Sequence, residues 1–155
     1  MSVEEGQEAP PFELPASGGR TVSSAKMRGK PYVLYFYPKA DTPGCTKEAC
    51  AFQEALPELG HLGLDVIGIS PDKMRSIEKF AEKYKLTFPL ASDEHHAVAE
   101  QYGTWVEKSM YGRKYMGMER ATFLIDREGK IVKAWRKVSV TGHAAAVLKA
   151  AQALS

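Results

Sequence analysis

Cysteine is scarce in this chain, which has only two among its 155 residues, at positions 45 and 50. The four histidines do not stand at the spacings with which His and Cys usually combine in a zinc site. We therefore expect no metal and no cofactor. Structural disulfides are rare in the reducing cytosol, so the close spacing of the pair favours a catalytic or redox use.

Long apolar runs and an excess of one charge are also missing. The longest apolar run, residues 32–37, is far shorter than the ~20 residues that span a bilayer. Residues 1–7 are acidic and lack the apolar core of a signal peptide. The 21 basic residues are balanced by 19 acidic ones, whereas nucleic-acid binding usually needs a basic patch. We expect a single domain over residues 1–155, located in the cytoplasm.

The chain does contain alternating strand and helix patterns. Continuous apolar runs predict buried strands at residues 32–37 and 64–69, with a short strand at 88–90. Turn signals predict an N-terminal β-hairpin and a second hairpin around Gly129. Helices are predicted over residues 43–60, 74–84, 95–102 and 144–154, with Pro57 breaking or kinking the first. The order predicts an α/β fold, a three-layer sandwich with a central mixed β-sheet.

The cysteines follow the first of these buried strands. Thr42 and Pro43 are typical of a helix N-cap and first position, which places Cys45 at the third helical position. There its sulfur lies among unpaired backbone N–H groups and at the positive end of the helix dipole, which favours the thiolate. The helix end alone is too weak, so we expect a nearby cation or further hydrogen-bond donors as well. The alternatives are that Cys45 is a small buried apolar residue and that Thr42 is a plain N-cap.

Cys50 lies five residues further along the predicted helix. Residues at this spacing are separated by ~7.5 Å along an ideal helix and ~140° around it. A disulfide needs Cα atoms within about 7 Å and converging Cβ atoms. Cys45 and Cys50 therefore cannot bond unless the first turns of the helix unwind. The alternative is that Cys50 is an ordinary core residue.

The sequence around these residues resembles the peroxiredoxins. Pro38, Thr42 and Cys45 match the signature Pro-x-x-x-Thr-x-x-Cys of that family. The longer run Thr-Pro-Gly-Cys-Thr-x-Glu-x-x-Cys is similar to the bacterioferritin comigratory protein, or Q-type, subfamily. The likeness extends along almost the whole chain, and it implies a thioredoxin-like fold.

The resemblance also implies roles for the residues around Cys45. Cys45 would attack the terminal oxygen of a hydroperoxide and become a sulfenic acid. Thr42 would hold the peroxide, and Pro38 would shield the pocket. Arg120 would be the expected cation, oriented by Glu48. The alternatives, judged from the residues alone, are that Arg120 is an ordinary surface arginine and that Glu48 interacts with the dipole of the first helical turn.

Cys50 receives the second chemical role. The resemblance implies that Cys50 condenses with the sulfenic acid, giving an intramolecular disulfide that a thioredoxin-like protein reduces. Since this needs no second subunit, we expect a monomer. The alternative is that an external thiol reacts with Cys45 and that Cys50 takes no part.

Two other kinds of function are compatible with a reactive cysteine pair. A disulfide reductase of the thioredoxin sort would use C-x2-C, and the C-x4-C spacing argues against it. A redox sensor or chaperone that uses helix unwinding as its signal is not excluded. Residues 105–120 mix aromatic residues with Lys108, Arg113 and Lys114, and we interpret them as a solvated loop in preference to an electropositive mouth or donor-docking surface.

Overall fold

The computed structural model describes residues 3–154 as an α/β protein. Its strands are β1 (Glu13–Ala16), β2 (Arg20–Ser23), β3 (Tyr32–Phe36), β4 (Asp65–Ser70), β5 (Leu90–Ser92), β6 (Trp105–Met110), β7 (Arg113–Met118), β8 (Ala121–Ile125) and β9 (Ile131–Trp135). Its helices are α1 (Pro43–His61), α2 (Met74–Lys83), α3 (Ala97–Tyr102) and α4 (His143–Leu154). In the part described, no helix combines the length and apolar character that a bilayer crossing requires.

Seven strands form one mixed sheet in the order β2-β1-β5-β4-β3-β8-β9. Strand β3 lies inside the sheet, parallel to β4 and antiparallel to β8. Its five residues are all buried, because helices cover both faces, and this explains the continuous apolar run. In this register Phe36 lies beside Ala121, so the end of β3 meets the start of β8. The sheet thus brings the segment before α1 next to Arg120.

The core is divided by the sheet into two layers. On one face, Tyr35 and Tyr37 pack among the buried residues of α1, α2 and α4. The Tyr35 ring stacks on Phe52 of α1, with ring centroids 4.7 Å apart. Strand β4 has glycine at position 68 here, since a Cβ would lie 2.9 Å from the Tyr35 ring. The other face packs against α3 and the N-terminal segment. The predicted three-layer fold is confirmed.

Several sequence predictions were wrong in detail. Residues 105–120 form a β-hairpin of β6 and β7, separate from the main sheet, where we expected a loop. Helix α1 is not broken at Pro57 and continues to His61, because Leu59, beyond the proline, packs in the core. Strand β5 begins at Leu90, two residues later than predicted, and α3 begins at Ala97. His96 has a left-handed φ of 50°, which keeps it outside the helix.

Candidate active site

Cys45 lies in the first turn of α1, immediately after the edge where β3 ends. Thr42 is the N-cap, Pro43 is at the first helical position, and the Thr46 N–H donates to the Thr42 carbonyl at 2.8 Å. The N–H groups of Gly44 and Cys45 precede this first helical bond and have no partner within the helix. The Cys45 side chain is only 1% exposed. The thiol is therefore packed against the core side of α1, at the positive end of its dipole.

Arg120 provides a cation at this sulfur. Its Nη2 donates to Cys45 Sγ at 3.3 Å, and its Nη1 donates to Glu48 Oε1 at 2.6 Å. The side chains of Arg120 and Glu48 are 16% and 1% exposed, respectively. Because the guanidinium is planar, one bond to the carboxylate fixes the direction of the other nitrogen. The structure thus brings together three of the residues that the sequence singled out, in an arrangement that stabilises negative charge on sulfur.

Thr42 and Pro38 flank this group. The Thr42 hydroxyl donates to the Lys39 carbonyl at 2.8 Å and makes no capping bond to the helix, although we expected one as an option. Its oxygen keeps lone pairs that can accept a hydrogen bond from a substrate. Pro38 is half-buried in the segment between β3 and α1. Both side chains lie on the segment that leads into Cys45.

Cys50 is in the same helix but is not part of this group. It is half-buried, and both cysteines are free thiols. Helix α1 is continuous from Pro43 to His61, so residues 45 and 50 point to different sides of it. The expected obstacle to a direct disulfide is therefore present in the reduced structure.

Comparison with known proteins places this arrangement in a family. The family model described as AhpC/TSA matches residues 5–134. The chain belongs to the AhpC/TSA family. Peroxiredoxin Bcp of Bacillus subtilis is 46% identical over 155 residues, with coverage of 100% of this chain and 99% of the relative. Peroxiredoxin Bcp of Escherichia coli K12 is 46% identical over 143 residues, with 92% of each chain covered.

The solved structures lead to the same family. The bacterioferritin comigratory protein of Xanthomonas campestris, a protein with alkyl peroxide reduction activity, has a TM-score of 0.90 and 41% identity to this chain. The match covers 97% of this chain and 98% of that one. This chain is a peroxiredoxin of the Bcp or Q type, and therefore a thiol peroxidase with a thioredoxin-like fold. The resemblance seen in the sequence is confirmed at the level of family and fold.

Glu48 of this peroxiredoxin is a titratable group that shares Arg120 with the Cys45 sulfur. Burial raises the pKa of Glu48 to about 7, although the positive charge and hydrogen bond of Arg120 oppose the shift. Its second oxygen, Oε2, is buried and has no hydrogen-bond partner in residues 3–154. The Arg120 bond thus opposes the cost of burying this carboxylate.

Lys108 on β6 is a second cation near the site. Burial lowers the pKa of Lys108, the positive charge of Arg120 lowers it further, and the negative charge of Cys45 opposes both effects. Lys108 pairs with Tyr115 across the hairpin. The sequence indicated an electropositive mouth in this region only as the less favoured interpretation. Nothing in the sequence distinguishes Lys108 from its basic neighbours, because its proximity to Arg120 depends on the hairpin.

Gly44→Ala tests how closely Arg120 must approach the helix. A Cβ at position 44 would lie 3.2 Å from Arg120 Nη2, the nitrogen that contacts Cys45. We expect the guanidinium to shift and the second-order rate constant with peroxide to fall about fivefold, equivalent to about 1 kcal/mol of a charge-assisted hydrogen bond. Stopped-flow oxidation of the reduced protein measures this rate.

Gly60→Ala is the matched control in the same helix. A Cβ at position 60 has no neighbouring atom within 4 Å, so the gain in helix propensity comes without a contact at the site. The Gly60→Ala protein should react with peroxide at the wild-type rate. Equal rates for Gly44→Ala and Gly60→Ala would show that the position of Arg120 does not limit the reaction.

Proposed function

We propose that this peroxiredoxin reduces hydrogen peroxide and alkyl hydroperoxides with Cys45 as nucleophile and Cys50 as resolving cysteine, and that a thioredoxin-like protein reduces the resulting disulfide. The main support is the contact of Cys45 Sγ with Arg120 Nη2 at 3.3 Å, at the amino end of α1. A helix end and a guanidinium both favour a thiolate, the form of cysteine that attacks peroxides. The alkyl peroxide activity of the Xanthomonas campestris relative supports the substrate class.

In the first step the Cys45 thiolate attacks the terminal oxygen of the hydroperoxide. The S–O bond forms as the O–O bond breaks, sulfur loses two electrons, and the alkoxide or hydroxide that leaves takes a proton from water. Arg120 stabilises the negative charge that moves from sulfur to the leaving oxygen. Thr42 accepts a hydrogen bond from the hydroperoxide O–H and so aligns the terminal oxygen with the sulfur. The products are a sulfenic acid at Cys45 and an alcohol or water.

In the second step Cys50 resolves the sulfenic acid. Its thiolate attacks Cys45 Sγ, the S–S bond forms, and hydroxide leaves and is protonated to water. Because α1 holds the two residues on different sides, its first turns must unwind before this step. A dithiol protein then returns two electrons by thiol–disulfide exchange. Resolution within one chain is consistent with a monomeric, single-domain protein in a reducing compartment such as the cytoplasm.

Replacement of Cys50 tests the proposal against external resolution. With thioredoxin, thioredoxin reductase and NADPH, the wild-type protein should consume many equivalents of hydroperoxide. Cys50→Ser should consume one equivalent and then stop, since the sulfenic acid has no internal partner. The decay of NADPH absorbance measures the cycling.

Two outcomes would contradict the proposal. Continued cycling of Cys50→Ser with thioredoxin would assign resolution to an external thiol. Stoichiometric oxidation of the wild-type protein without turnover would favour a redox sensor, which would use the same helix unwinding as its signal.

A further inference from the structure

The segment that leads into Cys45 is held by a carboxylate outside the site described above. Asp72, on the loop between β4 and α2, accepts the Ala40 N–H at its Oδ2 at 2.7 Å. The same oxygen accepts the Ser70 hydroxyl at 2.8 Å, and the Ser92 hydroxyl donates to the Asp72 carbonyl at 2.6 Å. Ser70 is fully buried and Ser92 nearly so. Asp72 is therefore fixed to the ends of β4 and β5, and it holds Ala40 to them.

Tyr37 and Asp41 also hold the segment before α1 against β4 and the end of α2. The Tyr37 N–H donates to the Ile69 carbonyl at 2.9 Å, which extends the pairing of β3 and β4 by one residue. The Asp41 carboxylate accepts Lys83 Nζ at 3.0 Å and the Tyr84 hydroxyl at 2.9 Å. Asp41 has a left-handed φ of 60°, a conformation that aspartate tolerates better than most residues. Residues 37–41, here called the anchored segment, thus have three attachments, one each to β4, to α2 and to the loop between them.

The contacts of α1 after this segment are of a different kind. Cys45 and Glu48 are held through Arg120, and Lys47 Nζ reaches Thr141 Oγ1 at 3.4 Å. Oxidation of the sulfur removes the thiolate that Arg120 contacts, so the chemistry itself weakens the hold on the first turn of α1. None of the bonds of the anchored segment involves the sulfur. The segment can therefore remain in place while the helix beyond it is released.

We infer that Asp72 is a positioning residue for Cys45, which fixes the anchored segment so that the thiolate faces Arg120 and unwinding is confined to the start of α1. This inference rests on the proposed function. Loss of the Asp72 carboxylate loosens the segment, so Cys45 is less well aligned for attack. The second step already requires the helix to open, so it does not need this alignment. The two steps should therefore respond differently to the same substitution.

The test uses Asp72→Ala in the full-length chain, with rapid quenching and mass spectrometry after mixing with hydrogen peroxide. Gain of one oxygen at Cys45 measures the first step, and formation of the Cys45–Cys50 disulfide measures the second. We expect the second-order rate of the first step to fall about tenfold and the first-order rate of the second to stay equal or rise. Asp72→Asn keeps an oxygen that can accept the Ala40 N–H, so it should recover most of the first rate.

Asp126→Ala is the matched control. Asp126 is a half-buried aspartate that accepts the Glu128 and Lys130 N–H groups, both at 2.9 Å, at the other end of the sheet. It should leave both rates unchanged. The inference would be overturned if Asp72→Ala gained oxygen at the wild-type rate or if Asp126→Ala lost as much of that rate. It would also be overturned if Asp72→Ala slowed both steps equally. If Asp72→Ala does not fold, Ser70→Ala takes its place, because it removes a donor to Asp72. A slower first step in Ser70→Ala then supports the inference, and a first step at the wild-type rate overturns it. A wild-type protein that never gains oxygen at Cys45 would instead contradict the proposed function.

Discussion

Cys45→Ser is expected to abolish hydroperoxide reduction, leaving only the rate of a protein-free control. A serine hydroxyl does not ionise near neutral pH, and the alcohol is a far weaker nucleophile than a thiolate. The substitution is close to isosteric at a side chain that is 1% exposed, so the fold should be retained. Peroxide consumption is measured in single-turnover conditions, with the circular dichroism spectrum as a check of folding.

Cys50→Ser is the matched control, because it removes the other thiol of the same helix. It should consume one equivalent of peroxide at the wild-type rate, whereas Cys45→Ser should consume none. If Cys45→Ser retained substantial turnover, or if Cys50→Ser lost the first equivalent, the assignment of the nucleophile to Cys45 would be wrong.

Arg120→Met is expected to slow the reaction of the thiolate with peroxide by about 10- to 100-fold. Hydrogen bonds to charged groups contribute about 1.5–3 kcal/mol, and each tenfold in rate corresponds to about 1.4 kcal/mol. The substitution removes the donor at 3.3 Å from Cys45 Sγ while it keeps an apolar side chain of similar length. The rate of Arg120→Lys should lie between those of the wild type and Arg120→Met. A single ammonium cannot bind both Cys45 and Glu48 with the geometry of a guanidinium. Equal rates for all three proteins would contradict the role of Arg120.

The destabilisation caused by Arg120→Met should also depend on pH, through Glu48. A carboxyl group whose pKa is raised in the folded state loses its stabilising contribution as the pH rises through that pKa. Burial raises the pKa of Glu48 from its ordinary 4.5 to about 7, so this loss occurs between about pH 4.5 and pH 7 in the wild type. Without Arg120 the pKa of Glu48 rises further, and the loss extends to higher pH. Arg120→Met should therefore be destabilised by about 3 kcal/mol at pH 8 and by less at pH 5.

Urea unfolding at the two pH values measures this difference. Lys30→Met is the control, since it breaks the Lys30–Asp65 ion pair at 3.2 Å, whose side chains are 49% and 48% exposed. An exposed pair contributes less than about 1 kcal/mol, and no change between pH 5 and pH 8 is expected for it. A penalty for Arg120→Met that is the same at both pH values would show that Glu48 does not ionise in this range.

The sequence was most informative where local patterns and burial agree. The apolar run of β3 and the Thr42-Pro43 helix start were predicted correctly, because a strand buried on both faces and a helix N-terminus each have a local signature. The β6–β7 hairpin was missed. Most of its residues are exposed, so it lacks the regular alternation that a half-buried strand shows. Its pairing is visible only in three dimensions.

The site itself could be predicted only in part from single residues. Cys45 follows from its place at the helix start, but Arg120 was chosen by family resemblance, since 21 basic residues carry no mark of their distance from a sulfur. The antiparallel pairing of β3 with β8 is what brings Arg120 there. The sequence does not single out Asp72, because an aspartate after a strand is typical of an ordinary turn. Its contact with Ala40 depends on the parallel neighbour β4.

Amide hydrogen exchange, followed by mass spectrometry on the reduced and the peroxide-oxidised protein, most directly tests whether the two sulfurs meet only after α1 opens. The oxidised protein should carry a crosslink between residues 45 and 50 and should lose protection over residues 42–55, while the Tyr37 and Ala40 amides remain protected. A crosslink that forms with unchanged protection over residues 42–55 would contradict the unwinding of α1. If the oxidised protein carried no crosslink and no added oxygen at Cys45, the proposed chemistry as a whole would be contradicted.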